Sequence, residues 1–233
     1  VGKLQLDGGN NRLPVATKFS MGNGTIINEF DLNGRNQELA GLALNSGVTA
    51  ANNTVNNSSG TLSTLTVNTA TASPSTFAGV ITGNLALTKT GPDLLTLSGT
   101  NDYTGDTTVS SGVLAVNGSL ANTTTTVAAT LQGSGTIGGS VAIQSGGTLA
   151  PGNSIESLGV ASVNFLAGST YAYELNSATL NGDLTYSTGT LDITSGVGPA
   201  GTTLTLTELF SGTLAVNAKL TLISYTGGWT SGE

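Results

Sequence analysis

Between Gly83 and Leu120 the chain reads GNLALTKTGPDLLTLSGTNDYTGDTTVSSGVLAVNGSL, and no gap between its Gly, Pro, Asn, Asp and Ser breakers has room for a packed helix. Leu85 and Leu87 alternate with Ala and Thr, Leu95 and Leu97 do the same, and Val109, Leu114 and Val116 follow. Alternation with a period of two sends one side chain inward and the next outward, which is the pattern of a half-buried strand, and the breakers mark turns. The same grammar fills the rest of the chain. One repeated structural idea points to a scaffold rather than a catalyst.

Repetition is visible directly. Ser111-Gly-Val-Leu-Ala-Val-Asn-Gly-Ser-Leu120 recurs as Ser211-Gly-Thr-Leu-Ala-Val-Asn-Ala-Lys-Leu220. Gly followed by Thr or Val and then Leu or Ile appears at Gly60, Gly112, Gly135, Gly147, Gly189 and Gly212. The spacing from Gly112 to Gly135 equals that from Gly189 to Gly212, whereas Gly135 and Gly147 lie only half as far apart. A loose period is what variable turns and constant strands produce. Two or three short strands per period predict an all-β chain, a parallel β-helix (solenoid) without a sizeable helix. Each coil then lies about 4.8 Å from the last, and roughly 20–25 residues per coil give about ten rungs. Inward positions stack as aliphatic columns, outward Thr and Ser stay hydrated, and Gly serves the corners.

Composition supports a packed chain. Only 8% of residues are charged, but 37% are hydrophobic, against the low hydrophobicity and high charge of disorder. The net charge is −7 with six basic residues, so no basic surface exists for nucleic acid or anionic lipid. There is no cysteine, hence no disulfide and no thiolate metal site, and no histidine, the commonest general base and zinc ligand. No apolar run reaches the length of a membrane helix, so this segment is not expected to span a membrane.

Candidate chemistry is sparse. Asp102 and Asp106 flank Tyr103-Thr-Gly, and two carboxylates at a turn are weak calcium candidates; the competing reading is that Asn101, Asp102 and Asp106 bond to turn backbone. Enzymes acting on polysaccharides need clustered acids, and here the acids are dispersed; Asp183 with Asp192 and Glu174 with Glu208 are the pairs able to share a face. Tyr171 and Tyr173 point to one face, with Tyr186, Tyr225 and Trp229 downstream. Exposed, Tyr171, Tyr173 and Trp229 would make a glycan-stacking platform; inward, they would fill a wider rung. Asn is expected to form ladders at equivalent corners.

Lys89-Thr-Gly, Leu95-Thr-Leu-Ser-Gly, Asn101-Asp-Tyr-Thr-Gly-Asp-Thr-Thr-Val109 and Ser111-Gly-Val-Leu-Ala-Val116 together resemble the autotransporter-associated β-strand repeat, a passenger-associated repeat of bacterial surface proteins. Gly133-Ser-Gly-Thr-Ile-Gly-Gly139 and Ser145-Gly-Gly-Thr-Leu-Ala-Pro-Gly-Asn-Ser154 look like its continuation. The sequence departs from the repeat at Pro92-Asp93 and at Glu156, where Gly is usual. The resemblance implies a right-handed parallel β-helix in secreted or surface-exposed passenger regions, aiding export and forming a stalk.

These readings converge on one β-helical segment of a longer protein: less regular rungs over 1–60, core repeats over 61–170 with the motif at 83–120, and C-terminal rungs over 171–233. The expected function is a non-catalytic, extracellular structural module, a stiff rod in a bacterial surface, stalk or matrix protein. It associates with neighbouring repeats or with itself, head to tail into filaments, and needs no cofactor. The alternative is an adhesin that binds glycans or host surfaces through exposed aromatics; a polysaccharide-active enzyme is the third reading.

Overall fold

The computed structural model describes residues 2–121, 123–176, 181–192, 203–210 and 223–225, with side chains described except over 203–210 and at 225. Three short strands follow one another in each turn, and each lies parallel on its counterpart one turn earlier. The first ribbon stacks Gly2–Gln5, Asn28–Asp31, Asn53–Asn56 and Val80–Ile81, and resumes with Thr100–Asn101 and Ser119–Leu120. The second stacks Gln37–Leu39, Ser63–Asn68, Leu85–Thr90, Thr107–Val109 and Thr125–Val127. Beyond them, the long strands Thr136–Ile143 and Ser157–Phe165 serve both ribbons. The third ribbon runs through Leu94–Leu97, Val113–Val116, Thr130–Gly133, Thr148–Pro151, Thr170–Asn176 and Thr203–Phe210. Among the described residues the solenoid makes about eight turns, close to the ten expected, and a single 3₁₀ turn at Ala50–Asn52 is its helical content.

Turn length is set by the corners. The early turns are wide: Asn28 lies over Gly2, and Leu85 over Ser63. They shorten where Thr125 lies over Thr107, and are shortest where Val141 lies over Thr125. The period then widens again, from Val141 to Val163 and further from Val163 to Leu191. The solenoid is thus most tightly wound between Thr107 and Ile143. The spacing from Gly112 to Gly135 is not a rung: Gly112 precedes a third-ribbon strand and Gly135 a first-ribbon strand. The recurrence at Ser211–Leu220 lies outside the described residues.

The interior consists of columns. Leu65, Leu87, Thr107, Thr125, Val141 and Val163 are in register and buried. Leu39, Val67, Lys89, Val109, Val127, Ile143 and Phe165 make a second column, equally buried. On the third ribbon Leu95, Leu114, Leu131, Leu149 and Tyr171 stack in the same way. Each fully buried aliphatic side chain contributes about 1.5–3 kcal/mol. Parallel pairing gives most strand backbone a partner one turn away.

One corner is a column of glycines. A Cβ on Gly99 would collide with the carbonyl oxygen of Gly79, one on Gly118 with that of Gly99, and one on Gly135 with that of Gly118. Successive coils therefore approach there at a distance that only a hydrogen side chain permits.

Candidate functional site

Within the densest part of the motif, polar residues in inward positions join one turn to the next. Lys89 sits between Val67 and Val109 in its column and is fully buried. Its stem fills the column and its ammonium reaches the corner, where Nζ donates to the carbonyls of Thr90 at 2.6 Å, Gly91 at 2.9 Å and Ser111 at 3.2 Å. Burial pushes its pKa down to about 8, opposed by the charge of Asp93. A Cβ on Gly112 would meet the Gly91 carbonyl and Lys89 Nζ, which excludes larger residues beside the ammonium.

The Pro92-Asp93 departure is accommodated by Asp93. Its carboxylate accepts the Leu94 N–H at 2.8 Å and the Ser73 N–H from the preceding turn, while Gly91 takes the left-handed conformation at φ 76°. At the second departure, Glu156 Oε2 accepts the backbone N–H of Asn153 at 3.2 Å. In both places a carboxylate accepts a backbone N–H of the turn.

Asn101 bridges the break in the first ribbon. Its Oδ1 accepts the Ile81 N–H at 3.0 Å, and its Nδ2 donates to the carbonyls of Gly99 and Ser119, both at 3.0 Å. One buried amide thereby bonds to three successive turns. Two residues on, Tyr103 is buried with its hydroxyl 2.6 Å from Thr107 Oγ1, and burial pushes its pKa up despite that bond.

Asp102 and Asp106, the weak calcium candidates, lie on either side of buried Tyr103, and both are exposed. Asp106 Oδ1 accepts the Thr124 N–H at 3.2 Å, one turn on. Among the described residues no group of three or more Asp and Glu side chains is placed to hold a metal ion.

Two buried carboxylates lie outside the motif. Burial opposes the charge of Asp31, but Lys3 Nζ at 2.8 Å, Ser58 Oγ at 2.6 Å and the N–H groups of Ser58 and Asn33 hold its carboxyl well below the usual range. With Gln5 Nε2 also at 2.8 Å, Asp31 ties three consecutive turns. Asp183 accepts the N–H of Glu174 at 2.8 Å and of Glu156 at 3.2 Å. Burial raises its pKa to about 6; the two hydrogen bonds oppose the rise, and the nearby Glu174 and Glu156 carboxylates add to it. Its suggested facing partner Asp192 is instead in register with Asn164, and Glu208 is in register with Leu175 rather than with Glu174.

The aromatic expectation is corrected in one respect. Tyr171 and Tyr173 share a face, but it is the interior one, at 4% and 2% exposure. Tyr171 packs edge-on to Phe165 with ring centroids 5.9 Å apart, and its hydroxyl lies 3.2 Å from Thr185 Oγ1. They fill the wider rung instead of offering rings to a glycan. Trp229 lies outside the described residues. Tyr186 is the large aromatic that the described surface does expose, at 50%. The Asn ladder is partial: Asn28 Nδ2 donates to Asn53 Oδ1 at 3.2 Å and Asn153 Nδ2 to Asn117 Oδ1 at 3.0 Å, but other Asn side chains, such as Asn45, Asn52 and Asn57, bond to backbone.

Lys89 and Asn101 were open to recognition in the sequence, because each falls in the inward phase of its strand. Asp31 and Asp183 carried no such signal, since their partners are gathered from neighbouring turns and corners.

Residues 87–116, which contain Lys89, Asn101 and Tyr103, match the passenger-associated-transport-repeat family. The chain is 49% identical over 81 residues to an extracellular serine protease of Serratia marcescens and 44% identical over 82 residues to the adhesin BmaC autotransporter of Brucella suis. Each match covers 34% of this chain, but only 8% of the Serratia protein and 2% of the Brucella protein. The chain thus carries an autotransporter-passenger repeat within a parallel β-solenoid and spans a small part of the relatives it matches. Among the described residues no helix is long and apolar enough to cross a membrane.

Proposed function

We propose that this chain is a load-bearing, non-catalytic segment of a longer extracellular bacterial surface protein: a stiff stalk that carries other parts away from the cell. The single observation behind this reading is that the matched repeat supplies the buried pins between turns, Lys89 and Asn101, and no gathered reactive groups. The Serratia relative is named a serine protease, whereas this chain contains no histidine, the commonest general base. One β-helical unit, with the less regular rungs first, is the domain organisation that goes with this reading.

Head-to-tail joining is its finer part. Among the described residues the strand Gly2–Gln5 pairs on one side only, with Asn28–Asp31, and Leu4 is 42% exposed. Its other side accepts a further rung, from the same chain or another copy.

Small-angle scattering with proteinase K digestion tests the proposal. The segment is expected to scatter as an elongated particle, and an in-frame tandem copy to lengthen it at unchanged cross-section, by about 4.8 Å per added turn. Rungs from Ser63 to Ile143 are expected to survive digestion. Rapid cutting inside those rungs, or a tandem that thickens instead of lengthening, would overturn the reading.

A further inference from the structure

On the outward side of the first ribbon, Thr136, Gly159 and Tyr186 lie in register on three successive turns. Gly159 has no side chain to set against the ring of Tyr186. Beside it, the strand Thr136–Ile143 shifts register between Ile137 and Ser140, so that Gly138 and Gly139 form a bulge. Together these leave a depression of about 550 Å³, lined by Tyr186, Gly159, Gly138 and the hydroxyl-bearing Thr136, Ser157 and Thr188. Its volume falls within the roughly 300–1,000 Å³ of small-ligand sites, and bulges are frequent beside such sites. No charged side chain lines it.

We propose that this depression binds an uncharged saccharide. The half-exposed ring of Tyr186 provides an apolar surface for the C–H face of a pyranose, and the flanking hydroxyls both donate and accept hydrogen bonds to sugar hydroxyls. A charged glycan would lose solvation there and meet no counter-charge. The floor of glycines lets a flat ring approach the backbone closely. The inference does not rest on the stalk reading: a stalk without a ligand and a saccharide-binding segment that is not stiff are separable outcomes.

Saturation-transfer NMR and a glycan array, both on the full chain, test it with neutral and sialylated or uronic-acid oligosaccharides. Saturable binding to neutral pyranose glycans is expected. Tyr186→Ala is expected to weaken it about tenfold, and Tyr186→Phe, which keeps the ring, to change it no more than about threefold. Thr188→Arg, at an exposed rim position, is expected to block binding with an unchanged melting temperature, which keeps the test valid if Tyr186→Ala fails to fold. No binding to any neutral glycan, binding confined to charged glycans, indifference to all three substitutions, or self-association of the chain through this surface would each overturn the proposal.

Discussion

Lys89 Nζ lies 3.2 Å from the carbonyl oxygen of Ser111, and this hydrogen bond fastens a buried cation in one turn to the corner of the next. Two more carbonyls, of Thr90 and Gly91, complete its surroundings. The cation is held by backbone dipoles and not by a direct ion pair, so its charge is tolerated rather than favoured. Lys89→Ala is expected to cost about 3–5 kcal/mol, from the cavity in the column and the loss of three carbonyl partners, read from urea unfolding midpoints. Lys89→Met, which keeps the stem, is expected to cost less. The folded pKa of about 8 lies below the ordinary 10.5, so between these values the unfolded chain binds more protons than the folded one. Stability contributed by this group therefore rises from about pH 8 to 10.5, and Lys89→Met is expected to abolish that rise.

Asn101→Leu tests the bridge at the break in the first ribbon. Leucine suits the neighbouring Ile81 and Leu120 in hydrophobicity, yet it removes the acceptor of the Ile81 N–H and one donor each to the Gly99 and Ser119 carbonyls, of which Gly99 keeps the Ser119 N–H. A loss of about 1–3 kcal/mol is expected, with faster hydrogen exchange at the Ile81 amide. A neutral or stabilising result would show that apolar packing, not the amide, sets stability there.

The glycine corner makes a paired prediction. Gly99→Ala drives a methyl into the Gly79 carbonyl and is expected to cost at least the roughly 1–3 kcal/mol typical of overpacking, lowering the thermal midpoint by several degrees. Gly60→Ala meets nothing within 4 Å and is expected to stay within about 0.5 kcal/mol of the parent.

Asp31 and Asp183 are expected to respond to acid in opposite directions. The folded pKa of Asp31 lies below the ordinary 3.8, so its contribution is present at neutral pH and is lost as pH falls below about 4. The folded pKa of Asp183, about 6, lies above it, so its contribution is full below pH 3.8 and is lost as pH rises through 6. Melting curves between pH 3 and 7 should therefore show that Asp183→Asn removes a decline in stability from pH 4 to 6. Asp31→Asn should be most destabilising at pH 7 and least at pH 3.

Much of the fold was legible in the chain. The alternation around Leu85, Leu87, Leu95 and Leu97 marks inward positions because neighbouring side chains on a strand point to opposite faces, and all four are buried. The same rule applied to Tyr171 and Tyr173 says that they share a face but not which face, because period two is symmetric between in and out. Their phase is settled by register with Leu149 and by the space beside Phe165. Rung length is not legible from the glycine signature, because Gly112 and Gly135 carry the same local pattern at different corners.

The amino-acid sequence alone determined that this protein would be strands and tight turns, coiled in parallel with aliphatic columns inside and hydroxyls outside, because side-chain alternation and turn chemistry act between near neighbours. Only the tertiary structure decided which residues meet across turns: Lys89 with Ser111, Asn101 with Ile81, Asp31 with Lys3 and Ser58, and Tyr186 beside an empty glycine. Those contacts join residues a whole coil apart in the chain, and the offset is set by corners whose length varies from one turn to the next.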